Sequence, residues 1–284
     1  MRRNLWSIVL AAGAGRRLAG VTNGVPKQFW RLDGGPSLLD RTMERMSGLT
    51  PRNRSVIIVD RSHHPYVSGD PALAEALVLH QPLDRGTATG VLMALMSVWI
   101  RDPDSLVIVT PSDHGVIDQA QFRRGVLHAT RRALRGDDVI LFGVEPTRAV
   151  DDYGWIVPTR RGTHLRAVET FVEKPPPALA ERLLSSGGVW NTMVVVSRAS
   201  ALRALFRARL PELVDVFDAA AALPRATREA FLADVYPHLP CKDFSRDVLE
   251  GAPSLLVYTW RHSLGWSDLG TPERLRRWLA PGAA

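Results

Sequence analysis

Short, uninterrupted apolar runs alternate along the first half of the chain with stretches whose apolar positions recur every three or four residues. The runs predict strands at 8–11, 56–59, 76–80, 106–109 and 139–144; the periodic stretches predict helices at 37–46, 87–99 and 119–134. Strands without a polar face need cover on both sides, and a helix between successive strands supplies it. The pattern therefore predicts an α/β fold with a mainly parallel central sheet and helices on both faces. In such sheets ligands gather at the carboxyl ends of the strands. A glycine-rich loop after the first strand and "TPSDH" after the fourth both fall there.

Beyond about residue 150 the alternation loosens. Strands are expected at 155–157, 165–171, 193–196 and 255–258, and helices at 178–184, 199–205, 211–221 and 228–235. A last helix should open at Thr271 as N-cap, with Pro272 in its first turn and Glu273 beside it. No linker, repeat or low-complexity segment interrupts the chain. The reading is one domain, 1–284, made of two lobes on a shared sheet, 1–150 and 151–284.

Composition narrows the class. With 45% of 284 residues hydrophobic, the chain can bury a large core. No apolar run approaches the ~20 residues that span a bilayer. The single cysteine, Cys241, excludes an intrachain disulfide and a cysteine zinc cluster, so the cytoplasm is the expected compartment. The net charge of +7 raises nucleic-acid binding. The densest basic set, Arg123, Arg124, Arg131, Arg132 and Arg135, falls on one predicted helix and reads as a solvated face. An anionic small substrate accounts for the charge equally well, and neither nucleic acid nor a membrane is expected as partner. Only three of the 36 basic residues are lysines: Lys27, Lys174 and Lys242. Where arginine is the default, a lysine marks a place for a compact ammonium rather than a planar fork. "MRRNLWSIVLAAGAG" also has the outline of a secretory leader. Asn4 and Ser7 interrupt it, and a buried first strand is the simpler reading.

The stretch "LAAGAGRRLAGVTNGVPKQF", 10–29, fails two familiar phosphate motifs. A P-loop needs a lysine directly after its last glycine, where Val21 follows Gly20; a dinucleotide fingerprint needs a third small residue where Leu18 stands. Arg16, Arg17 and Lys27 nevertheless supply the charges a polyphosphate requires. Asp113, which follows a strand, and Asp268, just ahead of the last helix, suggest a magnesium site, since Mg²⁺ takes one or two carboxylates plus substrate phosphates. His63, His64 and His114 are better explained as satisfied or surface histidines. "FVEKPPP" puts Glu173 and Lys174 at a strand end; "DDYGWIV" offers Gly154 for close backbone approach; "GGVWNTM" offers the Asn191 amide.

GAGRRL, VPKQF, QPLDRGTATG, TPSDH, YGWI, FVEKP, VWNTM and GWSDLG, in that order, make the chain resemble the sugar-1-phosphate nucleotidyltransferases, and among them the mannose-1-phosphate guanylyltransferases. The resemblance implies a Rossmann-like nucleotidyltransferase fold, a nucleoside triphosphate and a sugar 1-phosphate as partners, and Mg²⁺. It implies Arg17 and Lys27 on the triphosphate, with Lys174 as a third catalytic cation. Ala12, Gly13, Gly15, Gln81, Gly86 and Thr87 would border the nucleotide. Gly154, Glu173 and Asn191 would hold the sugar phosphate, and Asp113 and Asp268 the metal. Two departures stand out: Thr192 and Met193 replace a common Ser-Gly, and Ser245, between Asp243 and Asp247, replaces a common carboxylate. The implied reaction is attack of a sugar 1-phosphate on the α-phosphorus. A phosphate monoester is mostly ionised at pH 7, so the attack needs no general base, only positioning and charge neutralisation. Alternatives are transfer to another sugar or sugar-alcohol phosphate, or a silent regulatory relative; a homo-oligomer is compatible with each.

Overall fold

The computed structural model describes residues 4–280. Residues 1–3, the basic start of the leader-like stretch, and 281–284, the end of the second lobe, lie outside the described residues. Nine strands form one sheet: β1 (Leu5–Ala11), β2 (Ser55–Asp60), β3 (Leu77–Gln81), β4 (Leu106–Pro111), β5 (Val139–Val144), β6 (Gly154–Pro158), β7 (Leu165–Glu173), β8 (Val189–Arg198) and β9 (Leu255–Trp260). Their order is β3-β2-β1-β4-β8-β5-β9-β7-β6. The helices are α1 (Leu38–Ser47), α2 (His64–Val67), α3 (Gly86–Arg101), α4 (Gln119–Ala133), α5 (Pro177–Ser185), α6 (Ala199–Arg209), α7 (Pro211–Ala221), α8 (Arg225–Val235) and α9 (Pro272–Leu279). None of the described helices is long and apolar enough to cross a membrane.

The parallel expectation holds where helices separate the strands: β1, β2, β3 and β4 are parallel neighbours. The sheet as a whole is mixed. β8 runs antiparallel to β4 and β5, and β7 antiparallel to β9. β6 and β7 are joined too briefly for a crossover, so they pair antiparallel. β6 also pairs with the start of β8, which closes the second half of the sheet on itself.

Alternation along the strands distributes the core. On β1, Trp6 and Ile8 face one layer with α3, α6 and α7, while Leu5, Val9 and Ala11 face the other. Val107 and Val109 of β4 join Trp6, and Ile108 packs with Phe122 and Val126 of α4. Within the leader-like stretch, Leu5–Ala11 is an inner strand with both faces buried. Local signals at the helix starts hold as well. Ser37 accepts from the Asp40 N–H at 3.0 Å while Asp40 accepts from the Ser37 N–H at 2.9 Å, a capping box. Thr271 accepts from the Arg274 N–H at 3.2 Å.

One element is invisible to periodicity. Residues 239–249 cross the start of α3 as a strap, ending in a π-helical turn (Phe244–Leu249) whose Phe244, Val248 and Leu249 enter the core. The Lys242 carbonyl accepts from the Ala88 N–H at 2.9 Å, and its N–H donates to the Arg85 carbonyl at 3.1 Å. Thr87 Oγ1 donates to Asp243 Oδ2 at 3.1 Å and accepts from the Phe244 N–H at 2.8 Å.

Gly86, where strap and helix meet, has φ of 79°, and a Cβ there would lie 2.2 Å from the Lys242 carbonyl oxygen. A left-handed residue other than glycine costs roughly 1–2 kcal/mol before any clash. Gly86→Ala is expected to lower stability by at least about 2 kcal/mol, or about 4 °C in Tm for a chain of this size. A thermal melt indistinguishable from that of the unsubstituted protein would show that the strap is not held against α3.

Candidate active site

The glycine loop leaves β1 and turns at Gly15, whose φ is 61° and whose missing Cβ would stand 2.8 Å from the Lys27 backbone nitrogen. Gln28 ties the loop down: its amide N–H group donates to the carbonyls of Ala11 and Gly13 at 2.7 and 2.9 Å. This clamp seats Lys27, whose side chain is only 6% exposed. Its ammonium donates to Asp113 Oδ2 at 3.0 Å and to the main-chain carbonyl of Asp268. An antiparallel bridge, Gly115 with Ser267, holds the loops that carry these two acids side by side.

The two aspartates expected to share a metal therefore converge on one ammonium, but they present different groups. Asp113, one-third exposed, offers its carboxylate. Burial alone would raise its pKa; Lys27, His114 and its hydrogen bonds outweigh that and hold it below the usual value. The Asp268 carboxylate is already taken up. Oδ1 accepts from Tyr153 Oη at 2.8 Å and from the Gly270 N–H at 3.0 Å, and Oδ2 accepts from Arg274 at 3.0 Å. Burial and the neighbouring Asp268 keep the Tyr153 phenol protonated, so it donates. Arg274 lies 4.2 Å from the Tyr153 ring centre and also pairs with Asp152, which Arg17 approaches at 3.6 Å. These contacts fix where the Asp268 carboxylate points, on the same junction as Asp113. His114 is kept less basic by burial, against the pull of Asp113, and meets the edge of Trp266 at 5.4 Å; its Nδ1 is buried without a hydrogen-bond partner among the described residues, so it is not the satisfied histidine expected.

A cavity of about 500 Å³ opens at the carboxyl ends of β1 and β4, lined by Ala12, Gly13, Gln81, Gly86, Thr87 and Asp113. Its size suits a small organic ligand. Gln81 donates to Tyr236 Oη at 2.7 Å, which orients the amide. Gly15, Arg17 and Lys27 are not among its lining residues. The opposite wall is the strap: Lys242, Asp243, Arg246 and Asp247. Sequence reasoning assigned these four no place in the site, although Lys242 is one of the three lysines and the two aspartates flank Ser245. It also passed over Gln28 and the Tyr153–Arg274–Asp152 set.

The residues expected to hold the sugar phosphate also come together. Gly154 pairs with Glu173 across β6 and β7, and a Cβ on it would meet Glu173 Oε2 at 2.6 Å and Asn191 Cβ at 3.2 Å. The Glu173 pKa is raised by burial, which Lys174, 3.5 Å away, only partly offsets. Lys174 has φ of 50° and an exposed ammonium. In β8 a bulge between Asn191 and Val195 turns Met193 to φ of 61°, into the cavity lining. The two departures noted in the sequence touch: Ser245 Oγ lies 3.0 Å from Met193 Sδ and accepts from Asn191 at 3.4 Å.

A parallel half-sheet with a glycine loop, a buried lysine and an acid at its carboxyl edge defines a nucleotide-handling α/β protein. The nucleotidyl transferase family model matches residues 6–280, and the chain belongs to that family. The alginate biosynthesis protein AlgA of Pseudomonas fluorescens is 31% identical over 93% of this chain and 56% of its own. The mannose-1-phosphate guanylyltransferase RfbM of Salmonella typhimurium is 29% identical over 93% of this chain and 56% of its own. The chain thus spans about half the length of the curated relatives it matches. The crystal structure of a mannose-1-phosphate geranyltransferase from Thermus thermophilus has a TM-score of 0.88 at 29% identity, covering 98% of this chain and 80% of that one.

The charge pattern has a pH signature. Asp113 and Asp152 are both held below the ordinary carboxylate value; burial opposes this in each, and for Asp152 the Arg274 and Arg17 guanidinium groups prevail. Stability from such groups is complete above their unfolded pKa, near ~4, and is lost as pH falls through the lower folded values. Lys27→Met removes the main partner of Asp113 and leaves the cost of burying its charge. It is expected to reduce stability at neutral pH by about 1.5–3 kcal/mol, a deficit that shrinks as pH falls and Asp113 takes up a proton. Melting curves against pH that overlay those of the unsubstituted protein would contradict the pairing.

Proposed function

We propose that the chain joins a nucleoside triphosphate, GTP, to mannose 1-phosphate, forming GDP-mannose and pyrophosphate. The observation that carries this reading is the buried Lys27 ammonium at the junction of the glycine loop, Asp113 and Asp268, beside a cavity bordered by Ala12, Gly13, Gln81, Gly86 and Thr87. The names of the relatives support the particular substrates. A phosphate oxygen of the sugar 1-phosphate forms the new bond to the α-phosphorus, and the bond to the bridging oxygen of the β-phosphate breaks, releasing pyrophosphate. A monoester with a second pKa of ~6 is mostly ionised at pH 7, so no residue need take its proton.

The chain's own part is positioning and charge. Lys27, held by two acceptors, and the exposed Arg17 would meet the triphosphate. Glu173 and Asn191, with Gly154 beneath them, would take sugar hydroxyls, and Lys174 the sugar phosphate. Mg²⁺ fits Asp113, whose ionised and partly open carboxylate faces the same cavity, with Asp268 as the second proposed carboxylate and substrate phosphates completing the shell. When bound, the ion would neutralise developing phosphate charge. One observation favours a catalytically silent relative that binds the nucleotide-sugar: Ser245 stands where relatives commonly have a carboxylate, packed on Met193.

Pyrophosphate release separates the two. Release from GTP with mannose 1-phosphate, dependent on Mg²⁺ and lost in Asp113→Asn, is the expected result. Lys174→Ala should weaken use of the sugar phosphate about tenfold to a hundredfold, and Lys27→Ala should act mainly on the triphosphate, since a hydrogen bond to a charged group is worth about 1.5–3 kcal/mol. A folded sample that binds GDP-mannose but releases no pyrophosphate with any triphosphate and sugar phosphate would leave the silent reading.

A further inference from the structure

On the far side of the Asp268 network lies a second cavity of about 410 Å³, which shares no lining residue with the first. It sits between the loops after β5 and β9, the start of β8, and α9. Its walls are aromatic: Tyr153, Trp190, Trp266 and Trp278. Tyr153 meets Trp190 at 5.2 Å and Trp266 at 5.4 Å between ring centres, both edge to face. Three arginines, Arg148, Arg274 and Arg277, line it with His262, Thr147, Ser267, Val150 and Gly265; among the described residues no carboxylate takes part.

We propose that this cavity binds a phosphorylated hexose, as a site separate from the candidate active site. Its volume is that of a small-ligand pocket. A ring with aliphatic C–H groups can lie against the tryptophan wall, and arginine forks match phosphate oxygens. The polar side chains that line it are mostly donors. Such a surface suits a ligand rich in acceptors, with hydroxyl and phosphate oxygens. It suits a nucleobase less, because the amino and imino groups of a base require acceptors. Arg274 is already engaged with Asp268 and Asp152, so the phosphate falls to Arg148 and Arg277. Among the described residues Arg277 pairs with the exposed Glu273, a pair a phosphate can displace.

The site takes from the proposed function only the choice of probe. Calorimetric titration with mannose 1-phosphate, with tryptophan fluorescence as a second readout, tests it on three forms of the whole chain: unsubstituted, Lys174→Ala, and Arg148→Gln/Arg277→Gln. The expected result is a binding event with fluorescence change that persists in Lys174→Ala and weakens at least about tenfold in the double variant, while near-UV circular dichroism is unchanged. Inorganic phosphate should bind at least about tenfold more weakly, and GDP should not compete for this event. The proposal is overturned if no event survives Lys174→Ala. It is equally overturned if the surviving event ignores the arginine substitutions, if phosphate alone binds as well, or if GDP displaces the sugar phosphate. Loss of the Lys174-dependent event alone would count against the proposed function and leave this site standing.

Discussion

A lysine ammonium that is almost out of water must be met by acceptors, and at Lys27 those acceptors come from distant parts of the chain. The Gly13–Gly15 turn and the Gln28 clamp bring the lysine; β4 brings the Asp113 carboxylate; the loop ahead of α9 brings the Asp268 carbonyl. Removing any one of them leaves a buried charge without compensation, which is costly. The requirement therefore fixes how the amino-terminal loop, the sheet edge and the carboxy-terminal helix sit together. Arg274 and Tyr153 continue the same logic outward by holding the Asp268 side chain, so that its carbonyl stays aimed at the ammonium.

Strain collects around this joint. Lys174, Met193 and Leu269 adopt positive φ without being glycine, and they follow Glu173, Thr192 and Asp268. Such conformations cost on the order of 1–3 kcal/mol each and persist where surrounding structure over-determines them. Here the surroundings are a strand end stopped by prolines, a bulge in β8 and the network about Asp268. Each directs a side chain or carbonyl that regular backbone would have turned away.

The strap across α3 supplies the other wall of the first cavity. Helix starts leave N–H groups unsatisfied; here the Lys242 carbonyl meets the Ala88 N–H, while the Thr87 hydroxyl donates to Asp243 and accepts from the Phe244 N–H. Gly86 allows the close approach. The result is a cavity with glycine backbone on one side and the charged side chains of Lys242, Asp243, Arg246 and Asp247 on the other.

Much of the fold was legible in the sequence, because its cause is local. Apolar runs without a polar face could only be inner strands, periodic stretches between them could only be covering helices, and Thr271 announced its helix by capping chemistry. The motifs that follow strands also placed Gly13, Asp113 and Glu173 at the sheet's edge, since side-chain spacing and turn residues decide that much. What the order of residues could not state was which groups a buried charge would find. Asp268 could be named as an acid near the site, but only folding determined that its carboxylate would meet Tyr153, Arg274 and Gly270 while its carbonyl met Lys27. The strap carries no periodic signal, because a π-helical turn held by another helix's N-terminus has no hydrophobic repeat of its own. The contact of Met193 with Ser245 likewise exists only once β8 has bulged. Partners 52 to 241 residues apart are chosen by packing and by the need to satisfy every buried polar group, and both are properties of the closed tertiary structure.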